Sequence, residues 1–208
     1  MNSIYDPLGF LTPVTIQGRL LLRELSTQAE DWDSPLPKDM EAEWDRWRAS
    51  LQDLQHLKIP QAYTSTSTSN AQLRELCIFA DASVKAVSAV AYIKVTNHAG
   101  NVEVGFVFGK ARLAPKPDLS IPRLELCAAV LAVEIADMIL EEMDLKFDSI
   151  KYYTDSKVVL GYIHNRSRRF YVYVNNRVQQ IHKSSTPEQW QHVSTDHNPA
   201  DHGSRSVL

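Results

Sequence analysis

The chain has 208 residues, 44% hydrophobic and 23% charged, which suits one large domain or a small one with an appendage and is ordinary for a soluble globular protein. Its apolar runs are short and interrupted, which excludes a membrane-spanning helix, and no basic stretch followed by an apolar core marks a secretory leader. The net charge of −3 hides an uneven distribution: residues 1–60 carry 10 acids against 6 bases, whereas residues 151–183 carry 7 bases against Asp155 alone.

The first 13 residues contain two turn signals, Asp6-Pro7-Leu8-Gly9 and Thr12-Pro13. Thr12 can cap a helix with Pro13 in its first turn, and Val14, Leu21 and Leu25 mark the apolar face of that helix. With no leader and no preceding strand, the opening reads as the middle of a larger polypeptide. A second helix follows the loop Asp31–Pro37. Met40, Trp44, Trp47, Leu51 and Leu54 form its apolar stripe, which is expected to pack within a helical subdomain. The uncharged run Thr64–Asn70 reads as a flexible linker. It divides the chain into a helical segment (1–62), a linker (63–73) and a main domain (74–208).

Leu76–Ala80 reads as a central strand ending in Asp81, apolar on both faces. Ala86–Val95 and Val102–Arg112, joined by a turn at Asn97–Asn101, complete an antiparallel meander. Ser120 is expected to cap a helix running to about Met143, with Pro122 in its first turn. Its small face, Ala128, Ala129, Ala132 and Ala136, allows close approach to a sheet, and Glu125 shares that face. A lone carboxylate there is costly unless it is paired or binds metal. Ile150–Thr154 is a strand ending in Asp155, followed by a helix from Ser156 to Ile163. A strand–helix–strand crossover is parallel and right-handed, which puts Asp81 and Asp155 at one edge of the sheet. A helix from about Phe170 to Ile181, a short strand Gln189–Ser194 and a last helix, capped by Asn198 with Pro199 as its first residue, finish the chain.

Asp81, Glu125, Asp155 and Asp201 are therefore expected to converge. Each also has a local explanation: a turn for Asp81, pairing with Arg123 or Arg112 for Glu125, a helix cap for Asp155, and the helix dipole for Asp201. Four acids in one pocket repel unless cations neutralise them, and oxygen-only ligands select magnesium or manganese. A two-metal carboxylate site performs phosphodiester hydrolysis, and the basic block Asn165–Arg169, with Arg166, Arg168 and Arg169, suits a polyanion.

The segments Phe79-Ala80-Asp81-Ala82-Ser83, Pro122-Arg123-Leu124-Glu125-Leu126, Tyr153-Thr154-Asp155-Ser156 and Asn198-Pro199-Ala200-Asp201 with Ser204-Arg205 stand in order on matching elements. Together they resemble the ribonuclease H domain of retroelement polyproteins, and most of all the BEL/Pao retrotransposon lineage. The resemblance covers roughly residues 74–208. Tyr5–Pro13 and the Trp44/Trp47 helix are similar to the segment joining reverse transcriptase to ribonuclease H, the end of the thumb and connection.

The resemblance implies an α/β fold: a ribonuclease H-like mixed five-stranded sheet, with a three-strand antiparallel meander plus parallel strands, flanked by helices and preceded by a helical segment. It implies two Mg2+ ions, with Mn2+ as substitute. Asp81 would bridge both, Asp201 would help hold the ion that activates water, and Glu125 and Asp155 would hold the ion facing the leaving oxygen. The substrate would be the RNA strand of an RNA/DNA hybrid, cut to 5′-phosphate and 3′-hydroxyl ends. Reverse transcriptase and integrase regions of the same polyprotein would be partners, and the location would be intracellular, in a cytoplasmic virus-like particle or the nucleus.

Ser83 and Ser156 could touch a 2′-hydroxyl, Lys157 and the arginines would line the substrate track, and His197 would be the proton shuttle. Cys77 and Cys127 are expected to be buried free thiols. The rival readings are a folded module that binds hybrid without cutting it and an integrase-like DNA nuclease. No polymerase aspartate pair and no Asp-Thr-Gly or Asp-Ser-Gly protease triplet is present.

Overall fold

The computed structural model describes residues 4–28, 35–65, 68, 71–116, 119–165, 167 and 169–205. Five strands form one mixed sheet in the order β3-β2-β1-β4-β5. They are β1 (Leu73–Ala82), β2 (Ala86–Thr96), β3 (Val102–Leu113), β4 (Ser149–Thr154) and β5 (Trp190–His192). β1 pairs antiparallel with β2 and β2 with β3; β4 runs parallel to β1, and β5 parallel to β4. This is the expected ribonuclease H-like α/β arrangement, with the meander on one side of β1 and the parallel strands on the other.

Among the described residues six α-helices complete it: α1 (Thr12–Gln28), α2 (Lys38–Asp53), α3 (Ile121–Glu142), α4 (Lys157–Ile163), α5 (Val172–Ser184) and α6 (Asp201–Ser204). No helix among the described residues is long and apolar enough to cross a membrane.

The main core lies between the sheet and α3. Leu76, Ile78 and Ala80 of β1 and Ala89, Ala91 and Ile93 of β2 are all but inaccessible to solvent, as are Ala128, Ala129, Ala132 and Ala136 of α3. These alanines let the helix axis come close to the sheet, which seats the start of α3 beside the ends of β1 and β4. The opposite face carries a row of aromatic rings crossing the strands. Phe10 meets Phe106, Phe106 meets Tyr92, Tyr92 meets Phe79, and Phe79 stacks on Tyr153 at 4.7 Å between centroids.

The N-terminal helices form their own small core, with Leu21, Met40 and Trp47 buried and Val14, Leu25, Trp44 and Leu51 against them. Trp47 donates its indole N–H to the carbonyl of Val14 at 2.9 Å. The tryptophan stripe is thus spent inside this unit, as its spacing suggests. The unit is also docked on the sheet. Ile16 packs with Ala86 and Ala111, Arg23 donates to the carbonyl of Ala114 at 2.9 Å, and the amide of Gly109 donates to the carbonyl of Leu8. The described part of the linker follows the same surface: Ser65 donates its amide and hydroxyl to Glu103.

Several boundaries differ from the sequence expectation. β1 extends past Asp81 to Ala82 because cross-strand pairing continues through Asp81↔Ser88. α5 begins at Val172 rather than at Phe170. The final helix begins at Asp201 rather than at Pro199; Asn198 instead turns back to accept the amide of Ala200 at 3.2 Å. Cys77 and Cys127 are free, the first buried and the second half-buried.

Gly9 holds the N-terminal segment in place. Its φ of +81° lies in the left-handed region, and an added Cβ would collide with the carbonyl of Gly109. Gly9→Ala is expected to destabilise the chain by at least ~1 kcal/mol from the backbone conformation alone, with further loss from the displaced contact, read as a lower midpoint in urea unfolding.

Candidate metal centre

Asp81 and Asp155 are brought together by strand register. Ala80 pairs with Thr154 in the last rung of the parallel β1–β4 ladder, so Asp81 and Asp155 each follow that rung directly. Strand alternation then sends both to the same face. Glu125 arrives from the first turns of α3. One carboxylate oxygen from each of Asp81, Glu125 and Asp155 lies within 4.8 Å of the other two. Asp81 is 1% exposed and Glu125 8%.

The surroundings are too dry and too acidic for three free charges. Burial, followed by repulsion from Asp81 and Asp155, pushes the Glu125 carboxyl up to about 8. Burial likewise raises Asp81 to about 6, with further repulsion from Asp155 and Asp201 and partial relief from the Ser204 hydroxyl and Arg205. Glu75, also buried, behaves oppositely. Hydrogen bonds from Lys151 and Lys94, the latter at 2.8 Å, hold it down to about 2. Burial alone therefore does not distinguish the two kinds of acid; the missing counter-charge does.

Among the described residues three buried carboxylate oxygens make no hydrogen bond: Glu125 Oε2, Asp155 Oδ1 and Asp201 Oδ1, of which only the last is ion-paired, with Arg205. Orphaned oxygens of this kind carry a large desolvation cost. An all-oxygen donor set with unspent lone pairs fits a hard divalent cation, and the residues present match what such an ion requires.

The remaining oxygens are oriented by neighbours. Ser204 donates its hydroxyl to Asp81 Oδ2. Asn198, buried, donates its side-chain N–H to the carbonyl of Ala80 at 3.0 Å and lies 3.5 Å from Asp81 Oδ1. Thr195 donates to Asp155 Oδ2 at 2.6 Å. Outer contacts of this type fix ligand orientation in metal sites. Asp201 stands beside this group, outside the three converging oxygens. Its Oδ1 is ion-paired with Arg205 Nε at 2.7 Å, and it is near enough to raise the titration of Asp81.

The local explanations fare unevenly. Arg112 pairs with Glu134, and Arg123 stacks over Tyr173, so neither neutralises Glu125. Ser156, not Asp155, caps α4 by accepting the amide of Val159. Ser83 donates to the carbonyl of Ser204 at 2.6 Å and accepts two amides of its own turn; both serines thus serve the turn and the cap.

His197 is exposed in a short 3-10 turn and lies 2.7 Å from the Ser194 hydroxyl. Lys157 begins α4 and is exposed, as is Arg169, whereas Arg166 and Arg168 lie outside the described residues. The sequence assigns no role at the carboxylate cluster to Thr195, Asn198, Ser204 or Arg205; Asn198 is expected only as a helix cap, and Ser204 and Arg205 only as part of the last motif. For the last two the signal was available: they stand three and four positions after Asp201, where a helical turn folds back.

A family model, the Pao retrotransposon-like RNaseH-like domain, matches residues 1–156 of the chain. No curated protein matches it. Among solved structures it is similar to ribonuclease H1 of the halophilic archaeon Halobacterium salinarum, at 15% identity over 61% of this chain and 89% of that one, with a TM-score of 0.39. The N-terminal ribonuclease H domain of a Mycobacterium tuberculosis protein shares 12% identity over 63% and 91%, with a TM-score of 0.42. LC11-RNase H1, solved with an RNA/DNA hybrid, shares 13% over 62% and 91%, with a TM-score of 0.40.

The raised carboxyls make stability depend on pH when metal is withheld. Asp81 and Glu125 bind protons more tightly folded than unfolded, so their contribution is full below about pH 4, near the unfolded values. It is lost as pH rises through about 6 and then about 8. In chelator, the melting temperature should fall between pH 5 and pH 8. Glu125→Gln should flatten the upper part of that fall and stabilise the metal-free chain at pH 8 by at least ~1 kcal/mol, since one pKa unit is about 1.4 kcal/mol. Thermal melts across pH check both.

Proposed function

The chain belongs to the Pao retrotransposon-like RNaseH-like domain family, and on that footing we propose that it is a metal-dependent endonuclease that hydrolyses the RNA strand of RNA/DNA hybrids. The observation that carries this reading is the Asp81–Glu125–Asp155 cluster with its two orphaned oxygens. In a family of ribonuclease H-like domains, an uncompensated carboxylate cluster at the end of two parallel strands is best explained by a cation that the reaction needs.

Asp81, Glu125 and Asp155 would hold divalent magnesium, or manganese in its place, as two ions, with Asp201 beside them. When bound, such ions supply Lewis acidity, lowering the pKa of water and neutralising charge on the phosphate.

The protein's part is preorganisation. Ser204 and Asn198 fix the Asp81 carboxylate, and Thr195 fixes that of Asp155. Arg205 holds Asp201 at the rim. The burial of Glu125 and Asp81 excludes bulk water from the inner side of the group. His197, exposed and two residues from Thr195, is free to carry a proton between solvent and the leaving group. Lys157 and Arg169, both exposed on the α4 side, would meet the phosphate backbone. Residues 1–62 would be the end of the polymerase connection, and the whole would act within a retrotransposon polyprotein beside reverse transcriptase and integrase.

Incubation with an end-labelled RNA/DNA hybrid and magnesium should cut the RNA strand alone, leaving 5′-phosphate and 3′-hydroxyl ends, while duplex DNA survives. Asp155→Asn should lower kcat by more than ~100-fold, beyond the loss typical of an outer-shell contact. Intact hybrid with the unmodified chain, across magnesium and manganese, would refute the reading.

A further inference from the structure

The first turns of α3 and α5 meet around one ring. The guanidinium carbon of Arg177 lies 3.5 Å from the centroid of Tyr173, and that of Arg123 lies 4.9 Å from it. The ring is pinned from both sides: its hydroxyl is 3.3 Å from Cys127 Sγ, one turn after Arg123, and Arg177 donates to the Tyr173 carbonyl at 3.3 Å. The two guanidiniums are thus held within about one Debye length of each other at physiological salt (~8 Å).

Like charges this close repel, and no carboxylate among the described residues pairs with either, whereas Arg112, Arg205, Lys94 and Lys151 each have a carboxylate partner. Acids along the α3–α5 contact are already engaged: Glu134 by Arg112 and Gln180, and Asp137 by Ser184. Neither helix carries an acid in its first turn. The stack on Tyr173 orients the guanidiniums but, apart from the one Arg177 N–H given to the Tyr173 carbonyl, leaves their N–H edges and their charge unspent.

Arg123 precedes Glu125 by two residues, which places it about 3 Å along the helix axis and across a helix ~10 Å wide. A duplex carries one phosphate charge per ~1.7 Å of its axis. One seated on the carboxylate cluster therefore brings several phosphates within reach of the pair.

We infer that Arg123 and Arg177, splayed on Tyr173, form a clamp for the phosphodiester backbone of the bound nucleic acid, separate from the carboxylate cluster. The identification of the polyanion as an RNA/DNA hybrid rests on the nuclease reading above; the clamp itself rests on the unpaired guanidiniums. It acts on binding and not on the chemical step, and it is built into folded helices rather than into the basic block Asn165–Arg169.

The test is fluorescence anisotropy of a labelled hybrid against the full chain carrying Asp155→Asn, so that binding is read without cleavage, over a series of salt concentrations. Arg123→Gln and Arg177→Gln should each weaken binding about 5- to 10-fold and reduce the slope of log K against log salt by about 1. Arg177→Lys, which keeps the charge, should keep most of the slope. In the chain with Asp155 intact, the same glutamine variants should raise KM and leave kcat unchanged.

An unaltered salt slope in both glutamine variants overturns the clamp. So does a fall in melting temperature as the only effect, which would mean that the arginines merely join α3 to α5. A chain that binds hybrid with the expected slopes but never cuts it would sink the nuclease reading and leave the clamp standing. A chain that binds no hybrid would sink both.

Discussion

Three carboxyl groups converge at one rim of the sheet, and for two of them, Glu125 and Asp81, burial and nearby negative charge both oppose ionisation. Glu125 and Asp81 are nearly inaccessible to water, Asp81 raises the proton affinity of Glu125, and Asp155 raises that of both. Left to themselves such groups would separate or turn to solvent. They stay together because their positions are set by elements that cannot move independently. The last rung of the β1–β4 ladder immediately precedes two of them, and the alanine face of α3 presses the third against them. The core thus stabilises an arrangement that is locally unfavourable, as is common where a protein stores strain for chemistry.

Glu75 shows what the same sheet does with a buried acid that has no such task. It sits on β1, on the same strand as Asp81, and receives Lys94 and Lys151 from the two flanking strands. Its charge is satisfied and its pKa falls. Two acids six residues apart on one strand are driven in opposite directions by what the neighbouring strands supply. The orphaned oxygens of Glu125 and Asp155 are therefore meaningful, since this fold readily provides a lysine where one is needed.

The periphery of the site depends on segments distant in sequence. α6 is only four residues long and could not hold a fixed position alone. Ser83 in the β1–β2 turn donates to the carbonyl of Ser204, and Gly203 lies so close to Ser88 that a Cβ there would strike its hydroxyl. Thr12, at the start of α1, closes over the same glycine. The N-terminal helices thereby contribute to the framework that aims Ser204 at Asp81. The family match also runs from residue 1 through β4 without a break at 63–73.

Much of this was legible in order along the chain. Alternation and turn residues marked the meander, the 3.6-residue period marked α3 and its alanine face, and the strand–helix–strand order required β4 to lie parallel to β1. These patterns are local, because a strand or helix face is defined by residues a few positions apart. With the motif order they placed Asp81, Glu125, Asp155 and Asp201 in one neighbourhood, of which Asp201 stands beside the three converging oxygens and not among them. Which nearby group would claim each acid was not legible. Arg112 turned to Glu134, Arg123 to Tyr173, and Thr195 to Asp155, because such choices depend on distances of a few ångströms between segments far apart in sequence. The amino-acid order by itself determined the elements, their succession and the acids they carry, since backbone periodicity and turn chemistry are short-range. Only the tertiary structure decided which charges were neutralised and which were left bare, since desolvation and ion pairing belong to the packed interior.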